Sequence, residues 1–376
     1  MISYGRQSID QTDIDSVVEV LKSDYLTQGE MVPKFEKSIS DFTGAKYAVA
    51  VNSGTSALHI ACMSLDVGKG DVVWVPAISF VATANCALYC GASVDFIDID
   101  PHTGNLDINS LRKKISDTKK ECLPKVVIVV HMAGNPCPMK SIYEILNPLG
   151  VKIIEDASHA LGASSEFGRI GNCKYSAITT LSFHPVKIIT TGEGGMALTN
   201  SEELMSNMRM SSSHGITKDK SIMSLKTPWS YEQQSLGYNY RMSDIQAALG
   251  LSQSKRISEF VEKRRVIAKT YENRIDSESI DFVVQDQHGE SSYHLFMIKV
   301  KNNKRKELYD FLSIRGINSQ VHYYPIYLQP YYKNMGFKEG CCENSELYYR
   351  DILSIPIYPS INNYEIDKVL RVINEF

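Results

Sequence analysis

Val151-Lys152-Ile153-Ile154-Glu155-Asp156-Ala157-Ser158-His159 carries an apolar run into an acid. Apart from Lys152 the run is hydrophobic and of strand length, and Asp156 stands at its end. A carboxylate buried there costs several kcal/mol unless something pairs with it, so Asp156 asks for a partner. Outward from this strand lie similar short runs: Tyr47-Ala48-Val49-Ala50-Val51-Asn52, Val72-Val73-Trp74-Val75, Val94-Asp95-Phe96-Ile97 and Val126-Val127-Ile128-Val129-Val130. Helix-length segments separate them, and Ser56–Met63 after the Ser53-Gly54-Thr55 turn is one. This alternation predicts an α/β fold whose mostly parallel sheet lies between helices.

At the chain start, Thr12 and Asp15 read as a capping box. Ile14, Val17, Val18 and Leu21 then recur at helical spacing. From about residue 250 the pattern changes. A long charged helix through Lys263-Arg264-Arg265 leads to a strand over Tyr293–Val300, a helix near Lys304–Arg315 and a Tyr-rich stretch. The expected division is a large domain over 1–250 and a smaller C-terminal α+β domain over 251–376.

Composition narrows the class. Hydrophobic content of 43% with 22% charged residues is that of a soluble globular protein. A formal charge of -3 without a basic run argues against nucleic acid. The eight cysteines include no C-x-x-C pair, so the usual zinc spacing is missing and no metal is expected. The opening Met1-Ile2-Ser3-Tyr4-Gly5-Arg6-Gln7 reads as no signal peptide, and no run of about 18 apolar residues predicts a membrane span. The expectation is a cytoplasmic protein with reduced thiols.

About thirty positions after Asp156 comes Ser182-Phe183-His184-Pro185-Val186-Lys187-Ile188-Ile189-Thr190-Thr191-Gly192-Glu193-Gly194-Gly195. A lysine in a loop flanked by serine and glycines, downstream of an acid at a strand end, suits an aldehyde cofactor. Its phosphate tail and protonated ring nitrogen would be those of pyridoxal 5'-phosphate (PLP). Lys187 would form the Schiff base and then serve as base and acid. Asp156 would face the pyridinium N–H, and Ser182 would donate to the phosphate. Asn52-Ser53-Gly54-Thr55-Ser56 reads either as a phosphate cradle at a helix start or as an ordinary helix cap. Phe80 either stacks on a planar ring beyond the sheet or sits in the core. His159 either contacts the ring hydroxyl or caps a following helix. Ser213-His214-Gly215 and Gly237–Asp244 read as polar and aromatic segments flanking a loop, with Ser243 as a helix cap.

In this order the motifs resemble the DegT/DnrJ/EryC1/StrS family of PLP-dependent sugar-nucleotide aminotransferases, of fold type I. The resemblance runs from Tyr25-Leu26-Thr27-Gln28-Gly29 through Asn52–Leu58, Glu155–Gly162 and Phe183–Lys187 to Gly237–Arg241. It implies Lys187 as the Schiff-base lysine and Asp156 as the pyridine partner. Phe80 then stacks on the ring, and Gly54, Thr55 and Ser182 hold the phosphate. Asn239 reaches the cofactor phosphate of the neighbouring subunit in a homodimer. Segments Ser3–Asp10, Ser213–Ile216 and Gln320–Tyr327 are most similar to the branch acting in pseudaminic acid biosynthesis. That branch aminates C4 of a UDP-linked 4-keto-6-deoxy-HexNAc, with L-glutamate as amino donor. Tyr4, Tyr25, Leu26, Thr27, Val321, His322, Tyr323 and Tyr324 would line the sugar-nucleotide site.

The chain departs from that branch at Gly54, where an alanine is usual, and at Tyr324, where a lysine is usual. The alternatives are a relative acting on another keto-sugar (perosamine or 3-amino type), a sugar 3-dehydratase, and a non-catalytic or regulatory relative of the fold. Dehydratases resembling this family carry histidine where this chain has Lys187. Retention of Lys187, Asp156 and Ser182 together speaks against the non-catalytic reading.

Overall fold

The computed structural model describes residues 1–285 and 289–376. Two helices, α1 (Gln11–Leu21) and α2 (Met31–Thr43), precede the sheet. Strands and helices then alternate: β1 (Tyr47–Val51), α3 (Gly54–Ser64), β2 (Val72–Pro76), α4 (Ala82–Tyr89), β3 (Ser93–Ile97) and α5 (Ile108–Asp117). They continue as β4 (Val126–Val130), α6 (Met139–Leu146), β5 (Lys152–Asp156), β6 (Ile178–Ser182), β7 (Gly195–Thr199) and α7 (Glu202–Ser212). The seven strands form one sheet in the order β1-β7-β6-β5-β4-β2-β3. Every pair is parallel except those of β7, which runs antiparallel to β1 and β6. The expected α/β sheet is present.

The strand alternation sorts side chains onto the two faces. Val126 and Ile128 of β4 pack with residues of α3 and α4, while Val127 and Val129 pack with Leu111 of α5 and Ile142 and Leu146 of α6. All five residues of β4 are buried. Each such Val or Ile contributes about 1.5–3 kcal/mol when fully buried, which is why this strand reads as an unbroken apolar run. The same alternation separates two adjacent acids. Glu155 is held by His131 Nε2 at 2.9 Å, Thr179 Oγ1 at 3.1 Å and Ser176 Oγ. Burial would raise its carboxyl, and the bonds from His131, Ser176 and Thr179 outweigh that and lower it. Asp156 points the other way, toward the strand's carboxyl end.

Beyond α8 (Asp244–Ser254) and α9 (Ile257–Arg274), β8 (Ile280–Phe282) and β9 (Phe296–Val300) open a second antiparallel sheet. After α10 (Arg305–Ile314), α11 (Pro330–Lys333) and α12 (Glu343–Asp351), β10 (Ile352–Ile355) completes it and α13 (Asn363–Asn374) packs on it. Two segments cross between the cores. Ile2 packs with the β8–β10 cluster, and its backbone bridges to Ile317. Ile326, Tyr327, Leu328, Tyr332 and Cys342 pack with α3, α4, β2 and β3 in the large core. The 250/251 division drawn from sequence lies inside α8.

Three local expectations change. The capping box of α1 is Asp10 with Asp13, not Thr12 with Asp15. Asp13 is fully buried, where Ser252, Gln253 and Arg256 bind its carboxylate, and this pulls the first turn inward. No helix follows His159, so the capping reading for it falls. The strand expected over 293–300 starts only at Phe296, because Tyr293 takes a left-handed φ of 46° and turns the chain.

Candidate active site

The carboxyl ends of β1, β2, β5 and β6 converge, as expected of ligand sites in open α/β sheets. Between them lies a cavity of about 770 Å³. Asn52, Gly54 and Thr55 come from the end of β1, Ser79 and Phe80 from that of β2, Asp156 and His159 from that of β5, and Ser182 and Lys187 from that of β6. Tyr4, His294, His322 and Tyr323 close it from the chain start and the C-terminal part. A pocket of this size, largely preformed with convergent polar groups, suits a cofactor and part of a substrate.

At the phosphate end, Ser53 caps α3 by accepting from Ser56 N–H at 3.1 Å. Ser53 serves the helix, while Gly54 and Thr55 line the cavity. A Cβ on Gly54 would meet Ser182 Cβ at 2.9 Å and Oγ at 3.1 Å. A Cβ on Gly195 would meet Ser53 O at 2.2 Å. These two glycines let the α3 N-terminus and the Ser182 hydroxyl approach one point, a concentration of donors and positive dipole that fits a phosphate.

At the ring end, Asp156 is buried, with Oδ2 accepting from Thr83 Oγ1 at 2.7 Å and Oδ1 from Ser158 N–H at 3.1 Å. Thr83, itself bonded to Ser79 at 2.7 Å, is a residue the sequence reading passed over. Phe80 is 56% exposed and lines the cavity, so it is not core and is free to cover a ring. Burial lowers the Lys187 ammonium to about 8, although the Asp156 charge pulls the other way. A carboxylate with room for one more donor, a primary amine near neutrality, a flat aromatic lid and a phosphate cradle together fit PLP.

Three imidazoles surround the lysine. His159 and His294 meet at a tilt with ring centroids 4.5 Å apart, and both are buried. Burial first, and the Lys187 charge second, drive both far below the usual imidazole range. His322 falls to about 3 for the same two reasons and bonds Ser354 Oγ at 2.8 Å. All three are neutral at physiological pH. His294 was not foreseen. Buried Arg264 of α9 fixes its backbone by donating to the carbonyls of Tyr293, His294 and Ile357. Nothing in the local sequence signals that turn inward.

The remaining expected residues lie elsewhere in this single chain. Tyr25, Leu26 and Thr27 are exposed and outside the cavity lining. Val321 packs on the C-terminal core and Tyr324 against Tyr349, with ring centroids 4.9 Å apart. Asn239 is exposed, bridged through its backbone to Ser213. Among the described residues, no group of three or more His, Cys, Asp or Glu side chains could hold a metal, and no helix is long and apolar enough to cross a membrane.

Comparison with known proteins agrees with this geometry. Residues 7–374 match the model of the DegT/DnrJ/EryC1/StrS aminotransferase family. The UDP-4-amino-4,6-dideoxy-N-acetyl-beta-L-altrosamine transaminase of Campylobacter jejuni is 37% identical over 366 residues, covering 96% of this chain and 94% of that one. Among solved structures, Helicobacter pylori PseC, an aminotransferase of pseudaminic acid biosynthesis, superposes with a TM-score of 0.92 at 31% identity, covering 100% of this chain and 98% of that one. The putative sugar aminotransferase Spr1654 of Streptococcus pneumoniae in its PMP form gives 0.92 at 27% identity, with 100% and 98% covered.

Proposed function

Starting from the fact that this chain belongs to the DegT/DnrJ/EryC1/StrS aminotransferase family, whose members are PLP-dependent sugar transaminases, we propose that it aminates C4 of a UDP-linked 4-keto-6-deoxy-HexNAc. L-Glutamate is the amino donor, and the reaction belongs to the pseudaminic acid route. The observation that carries the substrate is likeness over nearly the full length to the C. jejuni transaminase. The same reading makes the protein a cytoplasmic homodimer with shared sites.

In this reading PLP, when bound, supplies the electron sink that lets a proton leave the carbon bearing nitrogen. The rest is done by the chain. Lys187 is the covalent attachment point. With an amine near 8, its Nζ can both take a proton and return it at neutral pH. Asp156, fixed by Thr83 and Ser158, holds the proton on the pyridine nitrogen. Gly54, Thr55 and Ser182 anchor the phosphate, Phe80 covers the ring, and Asn239 reaches the site of the other subunit. Tyr4, His322 and Tyr323 meet the sugar from the opposite wall. In the same reading Tyr25, Leu26, Thr27, Val321 and Tyr324 line the sugar-nucleotide site.

The test is glutamate-dependent amination of a panel of UDP-, dTDP- and GDP-linked 4-keto sugars, with product stereochemistry read by NMR. Turnover of the UDP-HexNAc substrate with the new amine at C4 is expected. Turnover confined to a dTDP or GDP sugar would replace this substrate with that of another branch.

A further inference from the structure

His159 has both ring nitrogens engaged, and the two contacts are not equivalent. Nδ1 accepts from the backbone N–H of Ala133 at 3.3 Å. A backbone amide can only donate, so Nδ1 carries no proton. The imidazole is buried and neutral, with Lys187 beside it, so its single proton sits on Nε2. Nε2 faces the Tyr323 hydroxyl at 3.2 Å. With Nε2–H as donor, Tyr323 Oη is the acceptor, and the hydroxyl's own hydrogen is not used in that bond. No other hydrogen-bond partner holds Tyr323 Oη among the described residues. Burial raises this phenol, so it keeps its proton. Tyr323 lines the same cavity as Lys187.

We propose that Tyr323 is the hydrogen-bond donor reserved for the keto oxygen of the sugar, and that His159 is the positioning residue that leaves it free to donate. This rests on the keto-sugar reading above. The carbon to be aminated must come to Lys187, and the keto oxygen on that carbon can only accept. A fixed donor at this point supplies the one kind of hydrogen bond that a keto oxygen can make. The backbone of Ala133 sets the direction. It has a left-handed φ of 58°, in the turn after β4, which aims its N–H at the imidazole.

Two measurements on the PLP-loaded holoenzyme test this. Without an amino donor the keto-sugar nucleotide binds that form without turnover, so its Kd is accessible by calorimetry. Tyr323→Phe should weaken the UDP-keto-sugar about tenfold, leave UDP alone within about twofold, and leave the resting absorption maximum in place. Unchanged keto-sugar affinity overturns the proposal. A shifted absorption maximum with unchanged sugar affinity also overturns it, by giving the proton to the cofactor. If Tyr323→Phe folds poorly, ¹⁵N-histidine NMR of the unmutated holoenzyme decides: His159 should show a protonated Nε2 and a bare Nδ1. A protonated Nδ1 overturns the assignment. If the wild type ignores the UDP-keto-sugar yet aminates another nucleotide's keto sugar, the substrate reading fails. The same variant is then compared on the sugar that is accepted.

Discussion

At the scale of single residues, Lys187 joins two properties that conflict. Its amine is useful because burial has made protonation costly, and that cost falls on the folded protein without cofactor. Below about pH 8 the apoprotein carries a desolvated ammonium. Between 8 and the ordinary 10.5 the unfolded chain binds the extra proton, so stability rises with pH across that window. Lys187→Met should therefore raise apoprotein stability at pH 7 by about 2 kcal/mol, after discounting for cavity water, and the gain should vanish above pH 10.5. The same variant should lose the near-visible colour that borohydride bleaches, and all turnover. Thermal melts across pH and a spectrum check both. Asp156 was legible at the end of a short apolar run, and Lys187 from its serine- and glycine-flanked loop about thirty positions later. His294 was not legible, since a left-handed Tyr293 and three carbonyls held by Arg264 bring it inward.

At the scale of elements, two helices are capped by acids distant in sequence. The residue before α2, Glu30, makes no side-chain cap. Asp244, buried at the start of α8, accepts instead from Gly29 N–H at 2.5 Å, Met31 N–H at 2.9 Å and Val32 N–H at 3.2 Å. Likewise Cys342 leaves α12 uncapped, and Asp98 after β3 accepts from the N–H groups of Asn344 and Ser345, each at 2.9 Å. Three charge-assisted bonds in a buried setting make Asp244→Ala cost about 2–4 kcal/mol, well above a surface cap. Urea unfolding should show a lower midpoint, and Asp244→Asn should recover part of the loss. Strands were legible from their apolar runs. These caps were not, because an acid capping across more than two hundred residues leaves no local spacing. The Thr12–Asp15 box failed for a related reason: Asp13, which closes the box with Asp10, is also held by the distant Ser252, Gln253 and Arg256.

At the scale of the whole molecule, residues 222–236 expose Ile222, Leu225, Trp229, Tyr231 and Leu236, each more than half accessible, just before Asn239. So much apolar surface on one segment is what a subunit contact covers. If Asn239 serves the other subunit's site, Asn239→Ala and Lys187→Ala homodimers should each be impaired. Unfolded and refolded together, they should regain roughly a quarter of wild-type activity, since random pairing makes half the dimers mixed with one intact site each. Activity no higher than the mean of the two parents would rule out sharing. The alternating runs made the large sheet and the later change of pattern readable, but not how the two cores exchange segments. Ile2 lies in the C-terminal core, and Ile326–Leu328, Tyr332 and Cys342 in the large one. A hybrid enzyme made by joining two relatives at residue 250 would cut α8 and pair each core with a foreign insert. Transplanting sugar preference between relatives therefore calls for exchanging the first few residues with the C-terminal core while keeping 326–342 with the large sheet.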